Sequence, residues 1–222
     1  MKVLILSAGR GERLRPLTDK TPKPLLKAGK YRLIEYTIQS LVKAGFDDII
    51  INTAHLGQQF PDILGDGQQY SATINYSPEQ QSGLETAGGI INALPLLGHE
   101  PFLVVNGDIW TDYPYQQLRS LLNNKLCHLV LVSNPKHNPQ GDFSLSSGQV
   151  GLHGDNKFTF SGIGIYHPDF FAGLEVQRAP LKPLLVRSIE LQQVSGEVYR
   201  GEWSDIGTVE RLQQLADKLT NE

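Results

Sequence analysis

The sequence predicts an α/β protein: a Rossmann-like three-layer sandwich around a mainly parallel, mixed central sheet, with a small β-rich lobe added in its second half. Two patterns carry the prediction. Short apolar runs bounded by turn residues alternate with segments of helical periodicity as far as Pro135, which is the rhythm of a sheet with crossover helices. Beyond Pro135 the apolar runs continue with few helices between them. The length of 222 residues and a hydrophobic fraction of 40% suit one domain with a substantial core, divided into a first part over 1–135 and a second over 136–222.

The first strand is expected at Val3–Leu6. A helix follows over 33–44, where apolar residues recur at helical spacing and Gly45 supplies the stop. Strands are expected at 49–51, 73–76, 102–105 and 128–132, with helices over 86–94 and 115–123 between them. In the second part, strands are expected at 142–145, 150–152, 159–166 and 197–203. Val209, Leu212, Leu215, Ala216 and Leu219 mark one face of a closing helix over 209–219, with Thr208 as its cap.

Composition narrows the function classes. Twenty basic and 23 acidic residues are interspersed, for a net charge of −3, so no tract is fitted to grip nucleic acid or an anionic membrane. No run approaches the roughly 20 apolar residues that cross a bilayer, and the apolar start is too short for a signal peptide, so a cytoplasmic protein with a small ligand is expected. The single cysteine, Cys127, excludes an internal disulfide and a cysteine-rich metal site, and its apolar run predicts a buried strand thiol. The six histidines lack zinc-like spacing and are assigned no chemistry.

Directly after the first strand stand Ala8, Gly9, Arg10, Gly11, Glu12 and Arg13. Two glycines in a strand-to-loop turn let backbone amides approach an anion, although an ordinary tight turn has the same look. A dinucleotide fold would want a third glycine where Leu14 stands, and a P-loop would end in Gly-Lys-Ser/Thr; neither is present. Pro22 and Pro24 fence Lys23 and restrict its freedom, which suits either a fixed ammonium or a solvated lysine in a proline-rich turn. Asp108 follows Gly107 at a strand's carboxyl end, a place for a hard cation or for a simple surface turn. Asp205, in Trp203-Ser204-Asp205-Ile206-Gly207-Thr208, reads as a second carboxylate or as a helix-entry residue. In 84–89, a glycine pair at a helix start allows a flat group to lie against backbone, or merely caps the helix.

Residues 3–25 resemble the signature of the sugar-1-phosphate nucleotidylyltransferase family, A-G-x-G-x-R-x-x-P-x-T-x-x-x-P-K-P, through Ala8, Gly9, Gly11, Arg13, Pro16, Thr18, Pro22, Lys23 and Pro24. Glu12 departs from the threonine that many relatives carry. The resemblance implies a Mg2+-dependent enzyme that joins a nucleoside triphosphate to a sugar 1-phosphate and releases pyrophosphate. It implies Arg13, Lys23 and Asp108 as catalytic residues and Asp108 with Asp205 as metal ligands. Ala8, Gly9, Gly11, Glu12, Arg13, Lys23, Glu85, Thr86 and Gly88 would surround the nucleotide in the first part. Asn106, Asp142 and Ser161 would line the sugar side, formed largely by the second part. Segments 64–67, 76–79, 84–86, 106–112, 141–143, 160–162 and 203–208 resemble most closely a short branch that transfers uridylate from UTP to N-acetylmuramate 1-phosphate in cell-wall recycling. UTP and that sugar phosphate are then the expected partners, and a monomer the expected state. The E-K-P motif of many thymidylyl- and guanylyl-transferring relatives is lacking, which argues against glucose 1-phosphate thymidylyltransferase and mannose 1-phosphate guanylyltransferase. The alternative from another class is a catalytically silent sugar-nucleotide sensor.

Overall fold

The computed structural model describes residues 1–80, 83–121 and 125–220. In chain order the elements are β1 (Val3–Leu6), β2 (Lys27–Ala28), β3 (Tyr31–Arg32), α1 (Leu33–Lys43), β4 (Asp48–Thr53), α2 (Gln59–Leu64), β5 (Thr73–Pro78), α3 (Glu85–Leu97), β6 (Phe102–Asn106) and β7 (Ile109–Thr111). The second part adds β8 (Cys127–Val132), β9 (Phe143–Ser146), β10 (Gln149–Gly151), β11 (Lys157–Tyr166), α4 (Lys182–Glu190), β12 (Val194–Tyr199), β13 (Trp203–Asp205) and α5 (Val209–Thr220).

Nine of these strands form one mixed sheet in the order β5-β4-β1-β6-β11-β8-β12-β10-β9. From β5 to β6 the pairing is parallel, and β11 enters antiparallel to both β6 and β8. Alternation sorts the apolar side chains into two layers. Val3, Ile5, Ile49, Ile51, Leu103 and Val105 pack with Ile34, Ile38 and Leu41 of α1 and Phe60 of α2. Leu4, Ile50, Phe102 and Val104 face the other way, against Ala87 and Ile90 of α3 and Leu185 and Ile189 of α4. A third cluster joins Leu14, Leu26 and Leu33 to Ile206, Leu212 and Leu215, so α5 is packed against the segment that follows β1.

Because β4 and β6 flank β1 with their connections on opposite faces, the carboxyl end of β1 is a topological switch point where a crevice opens. Cys127 is fully buried in β8, and burial pushes its thiol well above the ordinary value.

Three expectations differ from the structure. The helix expected over 115–123 is a 3-10 segment, Tyr115–Ser120, and 122–124 lie outside the described residues. There Tyr113 and Tyr115 pack edge to face at 5.4 Å and the Tyr113 hydroxyl donates to Glu197, contacts that fix the segment's start from outside. The strand expected over 197–203 is two strands: β12 stays in the large sheet, and after Arg200–Gly201 the chain turns so that β13 pairs with β7. Helix α4 was not expected, although Leu181, Leu185 and Ile189 recur every four residues and all are buried.

Candidate active site

At the carboxyl ends of β1, β4 and β6 lies a cleft of about 520 Å³. The loop after β1 forms its floor. Gly11 has φ +67°, and a Cβ there would stand 3.0 Å from Thr18 Cγ2 and 3.1 Å from Lys23 Cβ, so only glycine lets the loop close over them. Buried Thr18 ties the turn from below, its hydroxyl donating to the Gly11 carbonyl at 2.9 Å while Arg10 donates to the Thr18 carbonyl at 2.7 Å. The amides of Gly9, Arg10, Gly11 and Glu12 make no backbone hydrogen bond to the described residues, which leaves them free for an anion.

Lys23 is only 8% exposed, and its Nζ donates to Asp108 Oδ2 at 2.5 Å. The solvated-lysine reading is thereby excluded. Arg13 lines the same cleft, exposed, and makes no hydrogen bond or ion pair with the described residues.

The opposite wall is a polar chain the sequence did not disclose. Ser7 N donates to Asn52 Oδ1 at 2.6 Å, Asn52 Nδ2 to Glu79 Oε1 at 2.6 Å, and Leu84 N to Glu79 Oε2 at 2.7 Å. Burial raises the Glu79 carboxyl above its usual range, opposed by the two donors from Leu84 and Asn52. Gly89 makes room for this chain, because a Cβ there would stand 2.5 Å from Glu79 Oε1 and 2.8 Å from Asn52 Nδ2.

Ala8, Gly9, Gly11, Glu12, Arg13, Lys23, Glu85, Thr86, Asn106 and Asp108 all line the cleft. Gly88 does not. It is buried, and a Cβ there would collide with the Gln177 carbonyl, so this glycine serves the packing of α3 against the segment at 177–179. At α3's N-terminus the Ala87 and Gly88 amides donate to the Ala179 carbonyl at 3.0 and 3.2 Å.

On the side expected to take the sugar, Asn106 lies against Gly162, whose Cβ would stand 2.5 Å from Asn106 Nδ2. Ser161, expected to line that side, is 1% exposed, and its hydroxyl donates to the Val130 carbonyl at 2.6 Å and accepts from Ile163 N at 3.1 Å. Its role is to hold the irregularity where β11 shifts register between Phe160 and Ile163. Asp142 likewise lies outside the cleft lining, and its Oδ2 accepts from Phe160 N at 2.9 Å and Asn138 Nδ2 at 3.2 Å.

Asp205 is brought beside Asp108 by backbone: it pairs with Ile109 in the β13–β7 ladder, and Ile206 N donates to the Asp108 carbonyl at 2.8 Å. Its carboxylate is held by Arg211 at 2.6 Å and approached by His137 at 3.3 Å. Sequence reasoning assigned no part to Arg211; its spacing of six from Asp205 gave no signal until β13 and α5 were placed. Among the described residues no three His, Cys, Asp or Glu side chains gather into a metal cage. Asp108 lines the cleft and Asp205 does not, so a cation bound there would take one or two protein carboxylates and fill its shell from phosphate and water, as magnesium does.

Residues 2–143 match the family model described as nucleotidyl transferase. The chain is 52% identical over 222 residues to N-acetylmuramate alpha-1-phosphate uridylyltransferase of Neisseria meningitidis serogroup B, covering 96% of each protein. It is 30% identical to a mannose-1-phosphate guanyltransferase of Emericella nidulans, over 93% of this chain and 61% of that one. Among solved structures, a UDP-glucose pyrophosphorylase complexed with UDP-glucose superposes with a TM-score of 0.80 at 18% identity, over 99% of this chain and 98% of that chain, a likeness of fold. With a family match over more than half its length and a relative at 52% identity along nearly all of it, the chain belongs to the nucleotidyl transferase family.

Proposed function

We propose that this chain condenses UTP with N-acetylmuramate 1-phosphate, giving the UDP-sugar and pyrophosphate. The geometric observation that carries nucleotidyl transfer is the pair of buried Lys23 with partly exposed Asp108, 2.5 Å apart, in the cleft floored by the amides of the glycine loop. The choice of nucleotide and sugar rests on the 52% identity to the Neisseria uridylyltransferase.

In this reading a phosphate oxygen of the sugar 1-phosphate attacks the α-phosphorus of UTP. The new P–O bond forms as the bond to the bridging α–β oxygen breaks, and its electrons leave with pyrophosphate. The nucleophile is already anionic, so charge rather than proton transfer sets the barrier. Arg13 grips the terminal phosphates, and the Gly9–Glu12 amides cradle the chain of phosphates. Lys23 neutralises the α-phosphate and the incoming phosphate as they meet. Magnesium held by Asp108 and Asp205 would supply further charge neutralisation at the phosphates. Asn106 orients the sugar side. We place the enzyme in the cytoplasm as a monomer; a dimer on size-exclusion chromatography with light scattering would remove the latter part.

The test is pyrophosphate release with four nucleoside triphosphates against a panel of sugar 1-phosphates, with and without a chelator. The highest kcat/KM is expected for UTP with N-acetylmuramate 1-phosphate, abolished by chelation. A preference for GTP with mannose 1-phosphate would overturn the substrate assignment, and ligand binding without any pyrophosphate release would point to a sensor.

A further inference from the structure

A second guanidinium, that of Arg211, stands outside the cleft lining but beside one of its residues. Gly207 lines the cleft, and a Cβ built on it would stand 3.2 Å from Arg13 Nη2 and 3.3 Å from Arg211 Nη1. The two guanidiniums thus converge on one backbone position, no farther apart than the sum of those distances. Arg13 has no acidic partner among the described residues, and Arg211 has one, Asp205 at 2.6 Å, so the pair leaves positive charge uncompensated. Arg211 also stands in the first turn of α5, where its amide donates to Thr208 Oγ1 at 3.3 Å. That is the positive end of the helix dipole, where a cation is disfavoured, and Asp205 is the anion that offsets it.

From this convergence we infer that Arg211, together with Arg13, binds the pyrophosphate unit of the nucleoside triphosphate, the part that leaves. The inference rests on the reaction proposed above and adds a residue to it. Two planar guanidiniums converging beside Gly207 can address separate phosphates, and the missing side chain of that glycine leaves them room to approach. Arg211 is anchored meanwhile by its second bond, from Nη1 to the Asp205 carbonyl at 2.9 Å, which fixes the head group beside Gly207.

The experiment is calorimetric binding of inorganic pyrophosphate and, separately, of UMP, to the unsubstituted protein, Arg211→Gln and Arg211→Lys, all without divalent metal. Arg211→Gln is expected to weaken pyrophosphate on the order of tenfold or more, the size of one charge-assisted contact, while UMP changes less than about twofold. Arg211→Lys keeps the charge without the fork and is expected to fall between; it decides the matter by the same ratio if Arg211→Gln does not fold. A merely structural role through Asp205 would weaken both ligands alike. Equal losses for the two, unchanged pyrophosphate affinity, or no pyrophosphate binding by the unsubstituted protein would overturn the inference. If no substrate pair releases pyrophosphate, yet Arg211→Gln selectively loses it in the binding assay, the clamp stands and the proposed reaction falls.

Discussion

Replacing Lys23 with methionine separates what the Lys23–Asp108 pair does for the fold from what it does for chemistry. Breaking a fully buried ion pair by removing one partner costs about 3–5 kcal/mol, because the charge left behind is stranded. Here the lysine side chain is 10% exposed but the aspartate is 36% exposed, so the stranded carboxylate regains part of its hydration. A loss of about 1–2 kcal/mol is expected, a Tm drop of roughly 2–8 °C in a chain of this size. Asp108→Asn should cost more, since the ammonium it strands is the deeper of the two charges. The double variant Lys23→Met/Asp108→Asn removes both charges together and should recover much of the stability. Its turnover should not recover, because each group is expected to contribute about 10²- to 10³-fold to the rate. Thermal denaturation followed by circular dichroism reads the first quantity and pyrophosphate release the second. A double variant no more stable than the sum of the single losses, or one with restored turnover, would refute the reasoning.

Gly89→Ala places a methyl group against Glu79 and Asn52. Alanine is the better helix former by about 1 kcal/mol, so α3 should persist while the cleft wall shifts, and the KM for UTP should rise about tenfold. An unchanged KM would show that the Asn52–Glu79 chain does not shape the nucleotide side. His128 gives the pH dependence. Burial lowers its pKa below the ordinary 6.5, with Nδ1 2.9 Å from Ser195 Oγ and Nε2 buried without a partner among the described residues. The unfolded chain therefore takes up this proton more readily, so stability is full above pH 6.5 and declines as pH falls through that value toward the lower folded pKa. Between pH 7.5 and 5.5 the Tm should fall more steeply for the natural chain than for His128→Gln; equal slopes would remove His128 as the cause.

What the sequence discloses is what a residue says together with its near neighbours. The alternation of Val3 and Ile5 against Leu4 already implies a strand covered on both faces, and Gly9 and Gly11 directly after it already imply a loop with amides to offer. Lys23 marks the boundary. Its prolines restrict it, but burial and partner come from Asp108, 85 positions away, so the chain alone permits both a solvated and a fixed ammonium. Ser161 misleads for the same reason in reverse: a small polar residue near an expected pocket is, once β8 lies beside it, a bulge anchor bonded to Val130 and Ile163. Asn52 and Arg211 have no local signature at all, and the segments that hold Glu79 and Gly89 say nothing of their contact, since each acquires meaning only where separate strands and helices meet. The assembled cleft then shows a regularity that no segment contains. Each aspartate expected to hold magnesium is already held by a cation of the chain, Asp108 by Lys23 and Asp205 by Arg211. Those pairings are what allow two acidic side chains to stand near a loop that favours anions and near Arg13, which has no acidic partner among the described residues. On the proposed reaction a polyphosphate entering the cleft would compete with carboxylates for the same two cations, so substitutions at Lys23 and Arg211 should be read as changes in both partners of each pair, never in the cation alone.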